Sequence, residues 1–217
     1  MHIDCILFDL DGTLVDTNAD LTVAMNHTLK AFNAPPILPE QLKVLLGCGI
    51  HDLTNRSFKI STGHALSQDD LERAVKINLD YYNAHTVDLT QPFPGVVELL
   101  EYYKSMNIKM AVVTNKSTVP AQKIIDGTGL APYMDLVQGD GDNLPLKPQP
   151  DLLLYAMKKL NAVPEKTLMV GDNFTDIGSA RNAKVKSVFI QNGYGVIGDE
   201  KADYVIENFA DLRMLDL

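Results

Sequence analysis

The apolar residues follow two rhythms that alternate along most of the chain. Short unbroken runs at Ile6-Leu7-Phe8, 109–114, 134–138, 167–171 and 187–190, with a shorter one near 203–206, predict strands buried on both faces. Between them, 95–106, 118–129, 150–161 and 174–183 place apolar residues at helical spacing, and a last helix closes the chain. Strands alternating with helices of this length imply right-handed crossovers and a parallel sheet covered by helices on both sides. The stretch from Thr17 to Leu89 breaks the alternation. Leu21, Ala24, Met25, Thr28, Leu29 and Phe32 share one helical face, and Pro35-Pro36 ends that helix. Residues 39–46 and 50–60 read as short helices around Gly47-Cys48-Gly49, and Ser67 followed by acids opens a long helix to about Ala84. Nothing in 17–89 reads as a strand. The expected organisation is an α/β core from 1–16 and 90–217, with 17–89 as a small inserted all-helical domain on two linkers.

Four of the strand-like runs end in polar groups. Ile6-Leu7-Phe8 runs into Asp9-Leu10-Asp11-Gly12-Thr13, and 109–113 into Thr114-Asn115-Lys116. Asp135-Leu136-Val137-Gln138 leads through a Gly/Asp-rich loop to Lys147-Pro148, and Thr167-Leu168-Met169-Val170 runs into Gly171-Asp172-Asn173-Phe174-Thr175-Asp176. Ligands of an open parallel sheet sit outside the carboxyl ends of its strands, so these four ends converge on one crevice. A carboxylate arriving as early as Asp9, inside an apolar run, needs a positive partner.

Composition narrows the class. With 46% hydrophobic and 22% charged residues over 217 positions, a globular chain with an ordinary core is expected. The N-terminal apolar run is cut short by Asp9, so no secretory signal is expected, and no stretch has the ~20 apolar residues of a membrane span. Cys5 and Cys48 offer no disulfide framework. Two of the four N-x-S/T sequons, at Asn115 and Asn173, fall in the proposed site, where a glycan would block chemistry; the other two are at Asn26 and Asn55. All this points to the cytoplasm. A net charge of −9 argues against nucleic acid or an anionic membrane as partner, and leaves monomer or dimer open.

Asp9-x-Asp11-Gly12-Thr13, Thr114-Asn115-Lys116, Lys147-Pro148 and Gly171-Asp172-x-x-x-Asp176, in this order and each after a strand, make the sequence similar to the haloacid dehalogenase superfamily phosphatases. Val15-Asp16-Thr17, Gly47-Cys48-Gly49, Arg56, Pro94-Gly95-Val96 and Gly193-Tyr194-Gly195 resemble bacterial-type phosphoglycolate phosphatases in particular. The resemblance implies a doubly wound, Rossmann-like parallel sheet with a helical cap, and a phosphomonoester hydrolase with 2-phosphoglycolate as leading substrate. Other small phosphate esters, sugar phosphates and pyrophosphate stay open, and so does a catalytically silent binding module on the same fold.

Asp9 and Asp172, with the Asp11 backbone carbonyl, could hold a hard divalent cation, expected to be Mg2+, with Asp176 one helical turn on facing the same way. An acidic cap at a helix start accounts for Asp172 and Asp176 equally well. By the resemblance, Asp9 is the nucleophile and Asp11 the acid and base, Thr114 and Asn115 bind phosphoryl oxygens, and Lys147 neutralises charge. Arg56 is the expected clamp for a substrate carboxylate, with Gly49 giving the backbone close access; a surface role fits Arg56 as well. Lys116 matches the family triplet, but a solvated loop lysine fits it equally. Gly193-Tyr194-Gly195-Val196-Ile197-Gly198 spells a nucleotide-binding motif without its helix, and reads as a loop.

Overall fold

The computed structural model describes residues 3–141 and 143–215. In chain order the elements are β1 (Cys5–Phe8), β2 (Val15–Asp16), α1 (Asn18–Ala31), α2 (Pro39–Lys43), α3 (Ile50–Thr62), α4 (Gln68–Ala84) and β3 (Gln91–Pro92). They continue as α5 (Val96–Ser105), β4 (Lys109–Ser117), α6 (Thr118–Gly127), β5 (Leu136–Asp140), α7 (Asp151–Leu160), β6 (Thr167–Gly171), α8 (Phe174–Ala183), β7 (Lys186–Ile190), β8 (Tyr204–Ile206) and α9 (Phe209–Leu212). Six strands form one sheet in the order β5-β4-β1-β6-β7-β8, every pairing parallel.

Strand alternation sorts the side chains into two cores. Ile6 and Phe8 of β1, with Met110, Val112, Leu168 and Val170, pack against α5, α6 and α9. Cys5 and Leu7, with Ala111, Val113 and Met169, pack against α7 and α8. Both faces are therefore apolar, which is why these strands show unbroken hydrophobic runs rather than alternation. Helix α8 closes on Lys184 in the left-handed conformation (φ +60°), a position glycine fills more easily.

Helices α1–α4 bury a third, separate cluster, built on Leu21, Met25, Leu29, Leu42, Leu53, Phe58 and Tyr82. The two crossings between this cluster and the sheet are paired with each other: Val15 faces Pro92 and Asp16 faces Gln91 in an antiparallel ribbon. Asp20, buried at the start of α1, fastens the return crossing by accepting from the Leu89 and Thr90 amides and the Thr90 hydroxyl at 2.8–3.1 Å. Among the described residues no helix is long and apolar enough to cross a membrane.

Candidate active site

Asp9 follows β1 directly, its amide donating to the Val170 carbonyl at 2.9 Å, so the ends of β1 and β6 are stitched together at the carboxylates. The chain then turns tightly, with the amides of Leu14 and Val15 both returning to the Leu10 carbonyl. Gly12 permits this turn, for it has φ +83° and a Cβ there would stand 2.5 Å from Asp172 Oδ2. Thr13 donates its hydroxyl to Asp172 Oδ1 at 3.1 Å. The 193–195 loop after β7 completes the cradle, the amides of Tyr194 and Gly195 donating to Asp172 Oδ2 at 2.6 and 2.8 Å. A Cβ on Gly193 would lie 2.2 Å from the Asp172 Cβ, so that glycine is there for close approach and not for a nucleotide.

Asp9, Asp172 and Asp176 are all buried and offer oxygens within 4.8 Å of one another. One ammonium stands among them. Lys147 donates to Asp9 Oδ1 at 2.8 Å, Asp176 Oδ1 at 2.6 Å and the Val113 carbonyl at 2.8 Å, from the loop whose Lys147-Pro148 bond is cis. Three carboxylates against one lysine leave two negative charges uncompensated in a buried place, a donor set that suits a divalent oxygen-seeking cation. Burial, with the Asp9 charge second, pushes the Asp172 carboxyl up to about 6, although three hydrogen bonds work the other way. Asp176 is raised too, by burial first, against the pull of Lys147. Burial acts to lower Lys147, but Asp176 and Asp9 outweigh it and hold the ammonium above its usual range. Asp176 also caps α8 by accepting from the Asn173 amide at 3.0 Å, as the capping reading of this helix start expects of it. The Asp11 carboxylate stands outside the cluster, leaving its backbone carbonyl as its share of the metal expectation.

The end of β4 is irregular where chemistry is expected. Val113 pairs with Gln138 and Ser117 with Asp140, so four residues advance against two and Thr114-Asn115-Lys116 bulges out of register. Asn115 is spent on backbone: its amide bonds the Lys147 carbonyl and the Gly47 carbonyl at 2.9 Å each, and its oxygen accepts from the Lys147 amide at 2.8 Å. Asn115 thus positions Lys147, and the buried Thr114 beside it lines the cavity. Lys116 is no solvated loop lysine. Its Nζ lies 3.0 Å from both oxygens of Asp11, which also accepts from Thr17 at 2.5 Å, and 4.6 Å from the centre of the Tyr82 ring on α4. Burial lowers Lys116, the Asp11 charge more than reverses this, and the ammonium is held high.

A cavity opens above these strand ends, lined on the sheet side by Asp9, Asp11, Thr114, Lys116 and Asp172, and roofed by side chains from α1, α3 and α4. Gly49, at the start of α3 with φ +88°, lines it. Arg56 does not. Helical geometry turns it to the exposed side of α3, where it pairs with Asp52 at 3.2 Å, so the expected carboxylate clamp is corrected to a surface ion pair. Sequence reasoning left Lys116 between a family-triplet match and a solvated lysine, read Tyr194 only as part of a loop, and passed over Tyr82. Tyr194 reaches the crossing ribbon through a short hydrogen bond to Asp16, and burial with that contact pushes its phenol well above the ordinary value. The triplet context of Lys116 and the glycines flanking Tyr194 were the signals in the sequence; Tyr82 had none beyond its place on a helix.

Comparison with known proteins adds four findings. The family model of haloacid dehalogenase-like hydrolases matches residues 6–190. The chain is 35% identical over 212 residues to "Phosphoglycolate phosphatase 1" of Pseudomonas aeruginosa, covering 95% of this chain and 77% of that protein. It is 33% identical to the "Phosphoglycolate phosphatase" of Chromobacterium violaceum, over 97% of this chain and 95% of that one. Among solved structures, that of a predicted phosphoglycolate phosphatase from Haemophilus somnus superposes with a TM-score of 0.90 at 29% identity, covering 99% and 98% of the two chains.

Proposed function

The chain belongs to the haloacid dehalogenase-like hydrolases and is a phosphatase, and from that premise we propose that it is a Mg2+-dependent phosphomonoesterase with 2-phosphoglycolate as its leading substrate. The observation that carries the reading is the Lys147 ammonium set between Asp9 and Asp176 in a buried cluster of three carboxylates. That ammonium, with a divalent cation on the uncompensated carboxylates, would offset negative charge at the point where a phosphoryl group meets Asp9.

Asp9 attacks phosphorus in line and takes the phosphoryl group as an aspartyl-phosphate, while the bond to the leaving alcohol breaks. Asp11 gives that alcohol its proton and then takes one from the water that cleaves the aspartyl-phosphate, returning Asp9. Lys147 offsets charge on the transferring oxygens, Thr114 offers them a hydroxyl, and Asn115 fixes the Lys147 backbone. Asp9, Asp172 and the Asp11 carbonyl, with Asp176 behind them, would hold Mg2+, which when bound supplies further neutralisation of the phosphoryl oxygens. Residues 17–89 act as a cap domain that excludes water during the reaction. The acidic balance and the buried Asn115 and Asn173 sequons support a cytoplasmic enzyme acting on small esters without nucleic acid or membrane.

Phosphate release with and without Mg2+, across 2-phosphoglycolate, sugar phosphates and pyrophosphate, tests this. Strong Mg2+-dependent preference for phosphoglycolate is the expected result; flat release across the panel would overturn that substrate, and release indifferent to divalent cations would overturn the metal.

A further inference from the structure

With Arg56 turned to the surface, a substrate carboxylate needs another partner. We propose that the Lys116 ammonium and the Tyr82 hydroxyl together form a carboxylate subsite, which selects phosphate monoesters of small 2-hydroxy acids. The inference rests on the phosphomonoesterase reading above and names the group that recognises its substrate's second charge.

Lys116 is the one basic side chain among the described residues lining the cavity. It is buried, and in such surroundings a single cation acts far more strongly than in water. Tyr82 supplies the independent observation. Its ring lies beneath the ammonium, it is 2% exposed, it lines the cavity, and its hydroxyl makes no well-formed hydrogen bond to any described group. The Lys116 ammonium is the group that approaches this hydroxyl, and the hydroxyl's own proton is left without an acceptor, so an incoming carboxylate would accept from the hydroxyl while meeting the ammonium.

Position fixes the length of the ligand. Asp11 serves the leaving oxygen of the ester, and Lys116 touches both oxygens of Asp11. An anion held by Lys116 therefore sits a carbon or two from that oxygen, which describes a carboxylate on the carbon that bears the phosphate ester. Among the described residues the roof beyond, with Leu21, Leu46, Ile50, Leu53 and Leu79, holds no second cation for a bisphosphate, and its one amide, Asn78, already donates to Thr28.

The test compares kcat/KM for 2-phosphoglycolate and for ethyl phosphate, which has the same two carbons and no carboxylate. The wild-type enzyme should prefer phosphoglycolate by about 100-fold, the worth of a charge-assisted bond. Lys116→Met should collapse that ratio to within about tenfold, chiefly through KM for phosphoglycolate, and Lys116→Arg should restore part of it. Tyr82→Phe, which keeps the ring under the ammonium, should lower the ratio about fivefold and gives the answer should Lys116→Met fail to fold. Equal losses on both esters would overturn the subsite and make Lys116 a support for Asp11 alone. A wild-type enzyme that hydrolyses both esters equally well would also overturn it while leaving the phosphomonoesterase reading intact, whereas hydrolysis of neither would sink that reading.

Discussion

On the sheet side of the cavity polar and charged groups are held by named partners, several of them by three bonds, whereas the helical side offers a wall of leucine and isoleucine. Lys147 makes three bonds, Asp172 accepts three and Asn115 makes three, all between residues far apart in sequence. The roof contributes Leu21, Leu46, Ile50, Leu53 and Leu79, with Asn78 and Tyr82 as its polar exceptions. A group that must hold charge in a dry place needs defined partners at defined distances, so the residue types are prescribed. A wall that must fill space accepts any apolar residue of similar size. Reaction chemistry should therefore depend on the first side, and discrimination on the second together with Lys116, the cation of the first side that faces it.

The largest effect should come from Asp9→Asn, with turnover of every ester falling on the order of 10^4-fold or more in steady-state assays. A loss confined to one ester would erase the division between the two sides. Next, Lys147→Met leaves three buried carboxylates without their ammonium and should destabilise the fold by about 3–5 kcal/mol in urea titration, besides abolishing activity. A variant as stable as wild type would show that the carboxylates carry protons instead. A smaller effect follows from Asp172. Its pKa is raised from 3.8 to about 6, so between those values the native chain binds protons that the unfolded chain does not, and without divalent cation stability falls as pH rises through that window. Mg2+ should accordingly raise Tm more at pH 7.5 than at pH 5, and equal gains at both would detach the ion from this cluster. On the roof, Leu79→Ala should move KM about fivefold with kcat changed less than about threefold. Arg56→Ala should alter neither stability by more than about 0.5 kcal/mol nor kcat/KM by more than about twofold, and a larger loss would reinstate it as a ligand group.

The same division decides what could be read in advance. The central strands, buried on both faces, declared themselves as unbroken apolar runs, and β6 and α8 lie where the pattern places them, at 167–171 and 174–183. Convergence of Asp9, Thr114, Lys147 and Asp172 follows from parallel topology, which sends strand ends to one edge. The β2–β3 ribbon has two residues a side and no periodicity to recognise. Arg56 and Lys116 show the harder failure. Both are single cations in polar surroundings, and which is exposed depends on a helix rotation in one case and a strand bulge in the other. Neither is a property of neighbouring residues. Tyr194 was hidden for a related reason, since its glycines suggest a loop without saying that the loop grips Asp172.

The ribbon that pairs Val15 with Pro92 and Asp16 with Gln91 has one more consequence. The chain departs from the sheet and comes back to it at adjacent points, one strand spacing apart, about 5 Å. A span whose ends already touch can be lengthened, shortened or exchanged for another without altering the path of anything outside it. Inheritance can thus revise the roof piecemeal while the catalytic floor stays fixed, and new specificities can arise on an unchanged reaction.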